Sequence, residues 1–417
     1  MAKPQDVTLE PSAPHGPTGK ARMMVLRAFL AQNVAVGCAF GGFGVAALPL
    51  QRAYGASTGT VALALSLCVL VFGLAGPAIG ALIGRIGLRW TMMAGLLLSA
   101  SGYALLAFAP SMTVVLLLYA LPVGIGFAMF GPFPSSILAS NWYAHNPGMA
   151  LGIANTPLIV ALLPMVGMVV IRDHGLTSFM LMLAALHIAI IPFMLGVADR
   201  PARSAPASSQ AHAPKPDLML PARQLLRTPS FWAICVGAGF LGAIGITGVS
   251  HLAAVAAERG IAAAEAAALL SILGGSAVFG ALAIGALCSR LGAAPALALL
   301  AIALAASWLV LMGTTTFALM AMCSLALGAA GAGVFPAVNM LSARLFGQET
   351  LPRVLGLFQM LTLPLTFGVP PLVGVLRDGM GGYGPVIAAM SAGCGLTAIV
   401  FVLLARTGSR PSGALAT

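Results

Sequence analysis

The stretch Gly80-Ala-Leu-Ile-Gly-Arg-Ile-Gly-Leu-Arg89 decides how the rest of the chain is read. Its arginines, Arg85 and Arg89, are the only charges between Tyr54 and Asn141, and long apolar runs flank it on both sides. A shortened copy returns at Gly285-Ala-Leu-Cys-Ser-Arg-Leu-Gly292, so that Gly80, Arg85 and Gly87 map onto Gly285, Arg290 and Gly292 with one offset. Glycines let two helix ends approach and turn tightly, and arginines at a membrane rim meet helix C-termini and lipid phosphates. A short basic loop between apolar runs, repeated once half a chain later, predicts a doubled membrane protein.

Composition agrees. The chain has 417 residues, of which 60% are hydrophobic and only 7% charged, and its mean hydropathy is +1.02. That is not a soluble domain. Fifty glycines and twenty-eight prolines would break soluble helices, yet membrane helices tolerate both because neighbours re-satisfy the backbone. Apolar runs of about twenty residues, the length that crosses a bilayer as a helix, recur along almost the whole chain. The alternating ten-residue strands of a membrane barrel are absent.

The spans are expected near 23–50, 58–83, 91–109, 112–138, 149–171 and a sixth ending about Val197, then 230–256, 263–288, 293–312, 316–342, 353–376 and 383–405. This divides the chain into a tail (1–22), a six-helix bundle (23–198), a Pro-, Ala- and Ser-rich linker (199–227), a second six-helix bundle (228–405) and a short basic tail (406–417). Val36-Gly37, Phe40 and Gly42 recur as Val236-Gly237, Phe240 and Gly242, and Phe133-Pro134 recurs as Phe335-Pro336. Arg172-Asp173 recurs as Arg377-Asp378. The fold class expected is all-α integral membrane, twelve helices in two pseudo-repeats.

The net charge of +11 invites a nucleic-acid reading, but its distribution argues against one. With the amino terminus inside, the outer loops hold Arg52, Arg172, Arg259 and Arg377 against Asp173, Glu258, Glu265 and Asp378, and the other sixteen of twenty Lys and Arg fall inside. That asymmetry is the positive-inside rule, and it places both termini and the linker in the cytoplasm of a cell whose inner membrane holds the protein. The six cysteines lie in or beside apolar spans without metal-ligand spacing, so they read as packing residues. Neither G-x-x-x-x-G-K-[ST] nor His-Glu-x-x-His occurs, which removes the commonest nucleotide-driven and zinc-protease readings. No cofactor or metal is expected, and the protein reads as a non-enzyme.

The opening stretch resembles the G-x-x-x-D-R-x-G-R-R signature that major facilitator superfamily transporters carry between their second and third helices. Gly80, Arg85, Gly87 and Arg89 match, whereas Gly84 stands where that family has Asp. The resemblance implies parallel six-helix halves with the substrate site between them near the midplane, and a gating role for this loop. Ile86-Gly-Leu-Arg-Trp-Thr-Met-Met-Ala-Gly95 and Met149-Ala-Leu-Gly-Ile-Ala-Asn-Thr-Pro157 are similar to the monocarboxylate transporter branch and the related oxalate–formate exchangers. Departures accompany the likeness. Pro49 is followed by Leu50 where that branch has lysine, and the spans at 263–288 and 353–376 supply no cation at depth.

Inside the spans almost nothing is charged, so the usual pointer to a substrate or proton path is nearly blank. His251 and His187 are the groups at depth that can titrate near neutral pH. His187 falls in a span that is peripheral in the resembled family and reads as packing, whereas His251 falls on a gating span and is the candidate for proton coupling. The resemblance makes spans one, four, seven and ten line the cavity, with five and eleven beside them. Asn33, Tyr119, Asn155, Asn339, Gln359 and Thr362 are therefore the candidate polar substrate contacts, and Phe40 and Phe130 (with Phe133) candidate apolar walls. Arg85, Arg89 and Arg290 with their glycines are candidate gating residues on the inner side. Arg52, Arg172, Asp173, Arg377 and Asp378 are candidates on the outer side. Adjacent residues on a helix do not face each other, so each Arg-Asp neighbour is expected to pair elsewhere.

The function these features imply is alternating-access secondary transport of a small organic solute, a monocarboxylate by resemblance, with a proton as possible co-substrate. An efflux pump for neutral or apolar compounds and a transporter-like sensor are the alternatives. Expected partners are the solute, a proton and membrane lipids around a monomer, with no nucleic acid.

Overall fold

The computed structural model describes residues 19–143, 147–199, 220–347 and 350–407. Within them the chain is all helical, and ten helices are long and apolar enough to cross a membrane. Two are too long for one crossing. Thr58–Leu106 and Ala150–Met194 have 49 and 45 residues, about 74 and 68 Å at 1.5 Å per residue, against a hydrocarbon core of about 30 Å.

Each turns back at a single glycine, and the second is also interrupted at 155–157. Gly87 (φ 83°, ψ 163°) and Gly175 (φ 83°, ψ 171°) are non-helical, in a region of backbone space that only glycine enters freely. The chain turns back there. Tyr54, just before the first of these helices, donates its hydroxyl to the Ala109 carbonyl just beyond its end (2.8 Å), so both ends lie at one face. Dividing the two at their glycines makes twelve rods among the described residues. We number them α1 (Gly19–Tyr54), α2 (58–86), α3 (88–106), α4 (Met112–Trp142), α5 (150–174), α6 (176–194), α7 (Pro229–Glu258), α8 (Ala263–Leu291), α9 (Ala293–Gly313), α10 (Phe317–Phe346), α11 (Leu351–Met380) and α12 (Gly384–Thr407).

The repeat read in the sequence is present in the backbone. Gly292, the partner of Gly87, has φ 91° and ψ 156°. Residues 37–42 of α1 and 234–238 of α7 are both wound as π-helix, around the recurring Val36-Gly37 and Val236-Gly237. Two hydrophobic cores form, one drawn from Met24 to Val197 and the other from Leu225 to Phe401.

Two faces follow from the connections. The basic face carries the α2–α3 and α8–α9 turns with Arg85 and Arg290, the ends of the described chain, and the segment around Asp199. The hairpin face carries Tyr54–Thr58, Arg172–Gly175, Glu258–Ala262 and Met380–Tyr383. Most of the expected linker, 200–219, lies outside the described residues, as do residues 1–18 and 408–417. Asp199 and Leu220, which bound it, are anchored. Leu220 donates its N–H to Thr350 Oγ1 (3.3 Å) and accepts from Arg353 (2.8 Å).

The turn at Gly87 has a carboxylate, though not where the resembled signature puts it. Asp199, arriving from the end of α6, accepts the Leu88 N–H (3.0 Å), and a Cβ on Gly87 would stand 3.0 Å from its Oδ2. Arg89 donates to the Val197 carbonyl (2.7 Å), Trp142 to Ala198 and Asn141 to Asp199 (2.7 and 2.9 Å). Asp199 is thus an N-cap for α3, a place where a carboxylate satisfies an orphan donor and meets the positive helix end. Asp199→Ala should cost about 1 kcal/mol, read as a lowered melting temperature in detergent. Asp199→Asn keeps an acceptor oxygen and should lose less.

Candidate transport site

Small residues decide where the helices meet at the centre. On α1, a Cβ at Gly41 would come 3.1 Å from the Val160 carbonyl of α5, and on α8 a Cβ at Gly274 would come 2.8 Å from the same oxygen. On α7, Gly44 of α1 faces the Val249 carbonyl. Between these contacts lies a cavity of 290 Å³, lined by α1, α5, α7, α8 and α10. Val36, Phe40, Pro157, Ile246 and Leu273 are among its walls, and every lining residue is Gly, Ala, Val, Leu, Ile, Pro or Phe. It holds no charge and no side-chain hydrogen-bonding group.

The bundle is shut above this cavity and splayed below it. Helices α2 and α11 run antiparallel in contact from Thr58 and Asp378 to Gly73 and Leu363. At Gly59 and Gly374 the backbones touch, so a Cβ on Gly374 would collide with the main chain of Gly59 and Thr58. Past Gly73 the pair diverges, and Gly76, Gly84 and Gly356 have open space where a side chain would go. Helices α5 and α8 behave alike, touching at Val160 and Gly274 and leaving Gly152 and Gly285 open. The splay is towards the basic face.

A polar network seals the hairpin face. Asp378 Oδ2, at the end of α11, accepts the backbone N–H groups of Thr58 (2.9 Å) and Gly59 (3.5 Å), capping α2 of the other half. Arg377 pairs with Glu258 of α7 and with Asp378, both at 3.2 Å, and its guanidinium lies 5.6 Å from the Tyr383 ring centre. Glu258 also accepts the Tyr383 N–H (3.0 Å). The Tyr383 hydroxyl reaches His251 Nδ1 (2.8 Å), and His251 Nε2 reaches the Pro370 carbonyl (2.9 Å). A carbonyl only accepts, so Nε2 carries the hydrogen and Nδ1 of a neutral ring accepts from tyrosine.

Of the candidate substrate contacts, Phe40 alone lines the central cavity, where its ring meets Phe127 edge-on (6.2 Å). Asn33 is buried with every hydrogen-bonding atom used. It donates to Phe29 and Thr156 (3.0 and 2.9 Å) and accepts from Ile159 N–H (3.0 Å), satisfying groups that α5 leaves where it breaks at Pro157. Tyr119 is buried against Phe43 and Tyr103, and Phe130 against His187. His187 donates Nδ1–H to Leu183 in its own helix (2.8 Å). Thr362 is buried, bonded to Phe358 and packed on Gly239. Asn155 is exposed and Asn339 half-buried, each with its amide bonded one turn back, and Gln359 is exposed on the splayed part of α11.

One expectation fails at the hairpin face. Arg172 and Asp173 pair with each other, at 2.7 Å, although neighbours on a helix point apart. They sit three and two residues before the break at Gly175, where no further turn of helix stands in the way of the long arginine stem. Arg377 divides its guanidinium between its neighbour Asp378 and the distant Glu258. A second pocket, 330 Å³ between α1, α5, α7 and α8, has Arg52 and Arg172 at its rim. Asp199, Glu258, Tyr383 and Thr58 carried no signal that reading the sequence could find, because their partners are distant in the chain.

A model of the Major Facilitator Superfamily matches residues 29–367. No curated protein matches the chain in sequence. Among solved structures, a bacterial homologue of the human lysosomal transporter Spinster, inward-facing and unoccupied, is 16% identical with a TM-score of 0.69, covering 94% of this chain and 97% of that one. The nucleoside transporter NupG is 12% identical with a TM-score of 0.74, over 93% and 99%. A peptide transporter of the POT family in complex with sulfate is 13% identical with a TM-score of 0.75, over 93% and 95%. At these identities the likeness is one of fold.

Proposed function

Because this chain belongs to the Major Facilitator Superfamily, we propose that it carries a small organic solute by alternating access, with the solute crossing the midplane uncharged. A monocarboxylic or similar organic acid, travelling with a proton, is the solute class we assign. The basic face is cytoplasmic in this reading, as the sixteen-to-four split of Lys and Arg supports, and the described state is then open to the cytoplasm. A transporter is a membrane carrier rather than an enzyme, and the fold neighbours all carry transporter names.

The observation that carries the reading is the chemistry of the cavity wall. A carboxylate held there would lose its hydration without gaining a cation, at a cost of several kcal/mol. Neutral hydrogen bonds return only about 1 kcal/mol each, and the wall offers none. A protonated acid avoids the penalty. Asn155 and Gln359, exposed, and Asn339, half-buried, offer polar contacts on the way out, and Arg52 at the opposite rim stays outside the path of the uncharged form.

The test is initial-rate transport of a panel of organic acids and neutral solutes in whole cells, with external pH varied. The expected result is uptake of an acid that rises as external pH falls, by up to about tenfold per unit for one proton per cycle, and a mild effect of Arg52→Ala. Transport indifferent to pH and abolished by Arg52→Ala would overturn the reading in favour of an anion carrier. The same apolar wall suits an exporter of neutral compounds, and pH-independent efflux of such a compound with no acid uptake would identify that.

A further inference from the structure

A cavity larger than the central one lies elsewhere in the described residues. A groove of 510 Å³ runs between α8, α9 and α10 in the half of the bundle nearer the basic face. It shares no lining residue with the central cavity. Phe279, Leu282, Met322 and Leu325 along its helices are all more than half exposed, which marks this as the outer, lipid-facing perimeter of the bundle. Its walls are Gly, Ala, Leu and Ile throughout, apart from Arg290 at its basic end.

The groove has a cause in the sequence. Helices α8 and α10 touch backbone to backbone, with Gly280 against the Ala329 carbonyl and Gly328 against that of Leu273. Beside that contact nothing large remains to fill the wedge towards α9. The first half shows what filling looks like. By the repeat, Ala303 and Ala329 of the groove correspond to Leu98 and Phe127. There Leu98 packs on a small core of Ile79, Ala128 and Met129, and Phe127 is buried. In the second half alanines stand at both positions, and the wedge beside them is the groove.

Its arginine, Arg290, has no counter-charge and makes no ion pair among the described residues. Arg344 stands nearby, within reach of the Gly292 turn. Every described carboxylate of the second half (Glu258, Glu265 and Asp378) belongs to the hairpin face. An apolar slot open to lipid and ending at a guanidinium without an ion pair among the described residues suits one kind of molecule. Arginine pairs with phosphate in bidentate fashion, and basic pockets between membrane helices attract anionic lipid headgroups.

We propose that this groove binds an anionic phospholipid, with an acyl chain lying along the alanine wall of α8, α9 and α10 and the phosphate on Arg290. The site is independent of the transported solute. Beside Arg85, its counterpart in the repeat, the equivalent positions carry the larger Leu98 and Phe127, so the preference is expected at Arg290 and not at Arg85.

Native mass spectrometry of the purified full chain, titrated with phosphatidylglycerol or with phosphatidylcholine of the same acyl chains, tests this. The wild type should retain phosphatidylglycerol about fivefold better, as one arginine at a membrane surface implies. Arg290→Ala should remove that preference, Arg290→Lys should keep most of it, and Ala303→Leu should reduce retention of both lipids. Arg85→Ala should change nothing. Equal retention of the two lipids, or an equal loss in Arg85→Ala and Arg290→Ala, overturns the proposal. So does a stable dimer that Ala303→Leu converts to monomer, since the groove would then be a face for a second copy.

Discussion

Replacing Gly374 by valine is expected to abolish most transport without unfolding the protein, because it acts on one state of the cycle. In the described state α2 and α11 meet at Gly59 and Gly374 with no side chain between them. A Cβ there meets main chain, which cannot swing away as the tip of a side chain can. Overpacking of this kind costs about 1–3 kcal/mol, and a bias of that size moves a two-state equilibrium about 5- to 150-fold. The state it penalises is the one closed at the hairpin face, so the population shifts towards opening there. Spin labels on cysteines placed at Ser57 and Gly379, both exposed at that face, should report a longer separation in Gly374→Val than in the parent. Gly374→Ala should fall between. Parental transport with an unchanged separation in the valine variant would mean that this contact does not hold the closure.

The residues behind this prediction show what a sequence can and cannot reveal about such a chain. The turn at Gly87 was legible because the local backbone there needs glycine, and Gly292 repeats both the residue and its conformation. Spans were legible because a bilayer demands about twenty apolar residues of any helix that crosses it. The central cavity was not, since its walls are the same Gly, Ala, Val and Leu that fill lipid-facing surfaces, and only the crossing of five helices separates the two uses. Polar side chains misled for a related reason. Asn33 looked like a substrate contact, yet it satisfies backbone groups freed at Pro157, which no reading of α1 alone would disclose. The gate was hidden by distance along the chain. Asp378 and Thr58 lie 320 residues apart, and neither has a neighbour in sequence that announces the other.

His251 carries the remaining prediction, because it joins that gate to the proposed proton. It is 1% exposed, bonded through Nε2–H to the Pro370 carbonyl and through Nδ1 to the Tyr383 hydroxyl. As a neutral ring it satisfies all three groups at once. A second proton turns Nδ1 into a donor facing a hydroxyl that was donating, so Tyr383 must turn away or find another acceptor. Beyond Tyr383 stand Arg377, Glu258 and Asp378, the last of which caps α2. Protonated His251 therefore suits the state open at the hairpin face, and closure around the neutral ring requires its proton to pass to the carboxylate of the incoming solute, which then crosses as the neutral acid. Rising proton concentration on that face should speed the return step and with it uptake. His251→Gln keeps a donor and an acceptor of similar reach but cannot titrate. The expected outcome is a variant that still binds solute and still closes, measured by the Ser57–Gly379 separation, yet transports at a rate that no longer rises as external pH falls. A slope equal to the parent's would show that the solute takes its proton from the medium and that His251 serves the closure alone.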